Sequence, residues 1–294
     1  MWNRVALLVA GVAFGWSLVH WASAADRQRT HLLRCIGALV VGVGLAAWLG
    51  SDSLAAGVVA LAVFAIATLV AYAANARQVD RIPEPEPRLA PDKPLEGQHG
   101  LAMLVLLEGE PRTYDGPAQW APRLHRHAQA GHRIRHWLAR PWDYYRIRRA
   151  YQAMGDIHPQ RAAVDALMER VRPLIAGVDA LDAAWLYTTP TLVNELTRLA
   201  LRGLRHVVVV PLEETVSAAT LHEDIARARI AEIGVLSTIA PALKADLWPL
   251  PPSDVSLDGL LRGEPSATPA APSDAQVAAL AQALQRRALP GPEW

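Results

Sequence analysis

Apolar positions along this chain fall into two regimes. In the first quarter they run together, over residues 5–24, 35–50 and 54–74. The third run is uncharged, rich in Val, Ala and Leu, and reaches the ~20 residues a helix needs to cross a bilayer. The second is shorter and glycine-rich, and spans with little tilt. The first reads two ways. It is a span, or, with Arg4 ahead of it and Ala22-Ser23-Ala24 before Ala25-Asp26, a cleavable secretory signal. The expectation carried forward is a membrane domain of three transmembrane helices over residues 1–76.

Basic residues in the short connections set an orientation. Arg27, Arg29 and Arg34 separate the first two runs, and Arg77 and Arg81 follow the third. The connection at 51–53 has no Lys or Arg and carries Asp52. Both basic segments are therefore expected on the cytoplasmic side of the inner membrane, with an outward N-terminus and a cytoplasmic C-terminal domain. Gly37, Gly42, Gly44 and Gly57 suit close helix packing. His20 reads as an interfacial residue beside Trp16 and Trp21, or as an intramembrane functional group.

Beyond this quarter the pattern changes. Residues 77–99 hold Pro83, Pro85, Pro87, Pro91 and Pro94 among charges, the composition of an extended spacer. Short apolar runs then alternate with amphipathic ones over 100–250. Leu101–Leu107 reads as a buried strand, and a basic helical region follows to about Met154. A helix is predicted over 161–175, a short strand over 183–187 and a helix over 191–202 with Gly203 as its stop. A second clear strand covers 206–210, followed by a helix over 218–230, a strand over 234–239 and a short helix over 241–248. Strand–helix alternation argues an α/β fold with a doubly wound parallel sheet behind N-terminal transmembrane helices. In such sheets ligands sit at the carboxyl ends of strands, here the loops at 108–114, 188–190 and 212–217. Residues 251–294 form a Pro/Ala-rich tail, loose to about Ser273, with a short amphipathic helix over 275–288 that docks on the domain or on a partner.

Composition adds a charge asymmetry. The chain has a formal net charge of +1, yet Arg123, Arg126, Arg133, Arg135, Arg140, Arg146, Arg148 and Arg149 crowd one segment against Asp143 alone. Three readings stay open: a surface for anionic lipid headgroups, a lip that pairs the carboxylates or phosphates of a ligand, or a solvated face. Nucleic acid is disfavoured, since the whole domain is not basic and no recognition motif accompanies the run. His125, His132 and His136 share a helical face, but their spacing matches no standard zinc pattern. The single Cys35 permits no intrachain disulfide. Glu108 and Glu110, and likewise Glu213 and Glu214, stand at strand ends. A carboxylate there holds a hard metal or accepts a proton, or simply faces solvent in a loop. The sequence has no glycine-rich phosphate loop, CxxC or nucleophile elbow.

Four segments, in order, resemble the first half of a ferrochelatase. LVLLEGEP at 104–111 is similar to that family's first strand and Gly-x-Pro loop. YQAMGDIHPQ at 151–160 resembles its Tyr-x-x-(Ile/Met)-Gly-Gly-x-Ser-Pro joint. Residues 186–203 resemble its strand, Pro-containing loop and helix with a glycine stop. VVVVPLEETVS at 207–217 resembles the strand leading to Pro-Leu-x-Pro-x-(Tyr/Phe)-Ser. The likeness covers about 100–250 and departs at informative places. Asp156 replaces the joint's second glycine and His158 its serine. Glu214 and Val216 replace the proline and aromatic of the last motif. The family's second half, with its catalytic histidine and acidic partner, has no counterpart here, nor has the strand-end histidine of the short cobalt chelatases.

The resemblance implies a chelatase-like half domain concerned with tetrapyrroles or haem biosynthesis. Carried onto this sequence, it implies Glu108 and His158 as catalytic candidates. Together with the strand-end loops and the basic run, it leaves Glu110, Tyr114, Arg123, Arg126, Tyr151, Thr188, Glu213 and Ser217 as ligand-binding candidates. One expectation is a non-catalytic, membrane-anchored tetrapyrrole-binding protein or accessory subunit of a membrane complex. The other is a divergent chelatase, active as a homodimer, that inserts a divalent metal. The expected ligand is a porphyrin or haem, and the expected partners are membrane lipid and a second copy or a larger membrane complex.

Overall fold

In a computed structural model, the described residues are all but 1, 52, 82–99, 131–136, 187, 189–190, 213–217, 229, 252 and 289–294. The spacer at 82–99 thus lies outside them. By contacts the chain divides into two compact units. One joins the N-terminal helices to Thr113–Asp156 and Leu260–Pro265; the other holds the sheet.

The helical unit opens with α1 (Trp2–Ser23), α2 (Arg27–Leu49) and α3 (Leu54–Val79). Each contains a stretch long and apolar enough to cross a membrane. Their outward residues match that role: Leu8, Val9, Leu39, Leu45, Leu61, Ile66 and Leu69 are all exposed, a pattern that water penalises and acyl chains accept. The second helix starts eight residues before the apolar run, because Asp26 accepts from the Gln28 amide and caps it. The tightest approach is between α1 and α3. A Cβ at Gly11 would stand 2.6 Å from the Phe64 carbonyl, and one at Gly15 would overlap the Thr68 carbonyl. This Gly-x-x-x-Gly stripe brings two backbones together. Of the glycines singled out by composition, Gly57 also makes a close approach, a Cβ there falling 2.8 Å from the Trp48 indole nitrogen, whereas a Cβ at Gly42 would meet nothing within 4 Å.

Two further helices complete this unit, α4 (Ala121–Ala130) and α5 (Arg140–Ala153). The basic region is therefore not one helix. His132, Arg133, Arg135 and His136 lie outside the described residues. Trp21, at the end of α1, sits in a cluster with Tyr145 (5.1 Å between centroids) and Trp142 (6.4 Å) from α5. The Arg34 guanidinium lies over the same indole.

The second unit is an α/β domain. Its strands are β1 (Leu101–Leu107), β2 (Ala180–Trp185), β3 (His206–Pro211) and β4 (Leu236–Ile239), all parallel, in the order β2-β1-β3-β4. Helices α6 (Pro159–Val171) and α10 (Asp274–Ala288) cover one face. Helices α7 (Leu192–Leu201) and α8 (Ala218–Ala228) cover the other. Alternate residues of β1 serve opposite cores: Met103, Val105 and Leu107 pack with α6 and α10, and Ala102, Leu104 and Leu106 with α7 and α8. Burial on both faces explains why this strand reads as an unbroken apolar run.

Three expectations are corrected. The strand predicted at 183–187 starts at Ala180, where pairing with Ala102 begins its register. The helix predicted over 241–248 reduces to a 3-10 turn at Ala245–Leu247, after Leu243 bridges to Leu212. The tail holds an unforeseen helix, α9 (Ser253–Arg262), with Leu257, Leu260 and Leu261 buried. The last helix docks on the domain. Gln285 accepts from the Ala176 amide at 2.6 Å, and Arg287 donates to the carbonyls of Pro241 and Ala242, both at 2.8 Å.

Candidate functional site

The strand order sets the place to look. The chain leaves β1 first toward β2 and later toward β3 on its other side, so the topological switch lies beyond the carboxyl ends of β1 and β3. Main-chain bonds carry the ladder past the strands: the Leu186 amide donates to Leu107 and the Leu212 amide to Leu106. The loop after β1 is held by Gly109, at φ +60, where a Cβ would overlap the Trp185 indole. Arg161, from the first turns of α6, lies over that indole at 4.6 Å. Burial lowers the pKa of its guanidinium, with Asp165 opposing the shift. Glu108 is half-buried and Glu110 buried on either side of the glycine. Thr188, in the loop after β2, is buried as well. Glu213 and Ser217, and with them Glu214, lie outside the described residues.

His158 has a defined place in this unit. It is the N-cap of α6, and its Nδ1 accepts from the Gln160 amide at 3.3 Å. That fixes the ring proton on Nε2, which donates to the Ser266 hydroxyl at 3.1 Å. Its own amide donates to the Arg112 carbonyl at 2.8 Å. Only 1% of its surface is exposed, and both ring nitrogens are engaged. Among the described residues, no three His, Cys, Asp or Glu gather as metal ligands.

The remaining candidates belong to the helical unit. Tyr114 is buried and donates from its hydroxyl to the Ser23 carbonyl at 3.1 Å. Burial pushes the hydroxyl pKa well up, against a smaller opposing pull from Arg148. Tyr151 is buried edge-on to Trp120, 5.9 Å between centroids, and 6.3 Å from Tyr114. Arg123 is 3% exposed, and Arg126 falls on α4. Arg140 and Arg148 are buried too, so part of the basic segment is interior. Among its described members, Arg146 and Arg149 are exposed.

Sequence reading missed a buried polar network at the end of α3. Asp80 receives the Arg140 guanidinium at 3.2 Å, the Tyr144 hydroxyl at 3.3 Å and His125 Nε2 at 3.2 Å. Burial raises the Tyr144 hydroxyl pKa, and the Asp80 charge adds to it. The available signal was an acid isolated between Arg77 and Arg81 just beyond an apolar run. A buried carboxylate there needs a buried cation. Such a network joins helices.

No protein-family model, curated protein or solved structure matches this chain.

Proposed function

We propose that this chain is a membrane-anchored, chelatase-like half-domain protein that binds a tetrapyrrole without transforming it, as a carrier or an accessory subunit of a membrane complex. In this reading α1–α3 cross the inner membrane, with the α/β domain on the cytoplasmic side, where Arg27, Arg29, Arg34, Arg77 and Arg81 favour it. The observation that carries the resemblance is the backbone at Asp156. It takes φ +66, the sole positive φ outside glycine among the described residues, where the ferrochelatase joint has its second glycine. Two of the resembling segments also share adjacent parallel strands, residues 104–107 on β1 and 207–211 on β3, and a third, 186–203, begins where β2 ends and contains α7. What favours binding over catalysis is His158, whose ring nitrogens both serve the fold.

The test is an absorbance titration of the full-length protein in detergent with protoporphyrin and with haem. Fe²⁺, Co²⁺ or Zn²⁺ is then added to the porphyrin sample. Saturable spectral shifts without metalloporphyrin formation above the protein-free rate are expected. Turnover that is lost in Glu108→Gln would replace this reading with a divergent homodimeric chelatase. Absence of any spectral shift would remove the tetrapyrrole from it.

A further inference from the structure

We propose that a cleft in the helical unit binds a phosphate group, presented by an anionic phospholipid headgroup and held by Arg29 and Arg81. The inference rests on α1–α3 lying in a membrane and is independent of tetrapyrrole binding. The cleft has a volume of about 370 Å³ and opens where α1 ends, α2 begins and α3 ends. Its polar lining includes His20, Asp26, Arg29, Gln78, Arg81 and Asp115. That level is the boundary between apolar helix and basic connection, where headgroup phosphates sit.

The charges in this cleft are not equivalent. Asp115 accepts from Thr113 and Gln119, the latter at 2.8 Å, and Asp26 accepts from the Gln28 amide at 2.8 Å. Both carboxylates are thus occupied in shaping their own loops. Arg29 and Arg81 are exposed, and among the described residues neither guanidinium makes a hydrogen bond or ion pair, although Arg29 lies close enough to His20 to act on its charge. Two unspent guanidiniums on one concave surface match the oxygens of a phosphate, which accepts paired N–H groups. The neighbouring cations differ. Arg27 pairs with Asp156, Arg34 lies over Trp21, and Arg148 is buried in its own bonds. An apolar cleft lined by Leu7, Val41, Leu45, Trp48, Leu61 and Phe64 lies between the same three helices. Its lining admits an acyl chain but discriminates no headgroup.

The experiment uses the delipidated full-length protein in a neutral detergent. It is titrated with phosphatidylglycerol, with diacylglycerol, which lacks the phosphate, and with glycerol phosphate, which lacks the tails. Saturable phosphatidylglycerol binding is expected, and no saturable diacylglycerol binding. The double variant Arg29→Gln/Arg81→Gln should weaken phosphatidylglycerol at least about tenfold, the worth of one charged hydrogen bond. Both side chains are exposed and unpaired, and an unchanged circular dichroism spectrum confirms the fold. The charge-matched control Arg146→Gln/Arg149→Gln should stay near wild type. Equal loss in that control, equal binding of diacylglycerol, or no loss in the cleft variant would each overturn the site. Glycerol phosphate binding as tightly as the lipid, and lost in the cleft variant, would keep the phosphate site and overturn its lipid source.

Discussion

Arg148 donates from one guanidinium nitrogen to the Trp21 carbonyl at 2.8 Å, and from the same nitrogen to that of Ala24 at 2.8 Å. A helix ends with carbonyls that no later amide reaches, and α1 ends against protein rather than water. The arginine of α5 supplies the missing donors, and its positive charge also complements the helix dipole. Burial lowers its pKa, with Tyr114 and Tyr145 opposing that shift.

Replacing it should loosen the join between α1 and α5. Arg148→Met leaves the carbonyls of Trp21 and Ala24 without these donors and should cost about 2–3 kcal/mol. Arg148→Lys keeps the charge on a shorter, non-planar group, and should fall between the methionine variant and wild type. Thermal unfolding in detergent orders the three proteins. A lysine variant no better than methionine would mean that planar geometry, not charge, makes the contact.

Gly109 makes a second sharp prediction. Gly109→Ala combines a left-handed backbone with overlap on the Trp185 indole, and should cost about 2–4 kcal/mol. Adding Trp185→Leu removes the overlap but not the backbone strain. A double-mutant cycle by urea denaturation should therefore show positive coupling. Purely additive losses would contradict the contact.

Asp156 bears strain with little return. Its ion pair with Arg27 spans 3.5 Å between exposed side chains, and such pairs contribute little. Asp156→Gly should therefore stabilise the protein by about 0.5–1 kcal/mol, relief of the left-handed penalty outweighing the added chain entropy. A melting temperature below wild type would show that the carboxylate does more than its exposed pair suggests.

The cap on α6 separates structural from catalytic roles for His158. Asparagine is an accepted N-cap and alanine is not. His158→Ala should lose about 1 kcal/mol, while His158→Asn should stay within about 0.5 kcal/mol of wild type. Porphyrin binding should survive in both. Loss of binding in a stably folded asparagine variant would restore a direct role for the imidazole.

His206 predicts a pH dependence. Its Nε2 lies 2.9 Å from the Thr238 hydroxyl across β3 and β4, and burial lowers its pKa. The unfolded chain takes up this proton near ~6.5, and the folded chain only at lower pH. Between those values the unfolded state binds more protons, so stability falls as pH falls. His206→Gln should flatten that slope when melting is compared at about pH 7.5 and about pH 5.5. An unchanged slope would assign the acid sensitivity elsewhere.

Legibility in the sequence followed burial symmetry. The strand at Leu101–Leu107 was readable to the residue, because both faces are buried and the polar flanks are abrupt. Its neighbour at Ala180–Trp185 was displaced by three residues, because apolar character continues past Trp185 and only pairing with β1 sets its start. Helix α9 was hidden by Pro- and Ser-rich flanks. Its Leu257, Leu260 and Leu261 held the helical spacing, but over too few turns to stand out. The candidate residues divide between the two units, Glu108, Glu110, His158 and Thr188 in one and Tyr114, Arg123, Arg126 and Tyr151 in the other. That division follows contacts which no local pattern encodes.

By itself, the sequence determined three apolar helices, a parallel α/β domain behind them and the loops at its strand ends. Each of these depends on periodicity and on the length of apolar runs, which are local properties. Only the tertiary structure decided what the charged residues do. A buried Arg140 facing Asp80, a buried Arg148 on the carbonyls of α1 and an exposed Arg81 in a cleft are alike in sequence. Their difference lies in desolvation and in the partners that distant segments bring, and these exist only once the chain has folded.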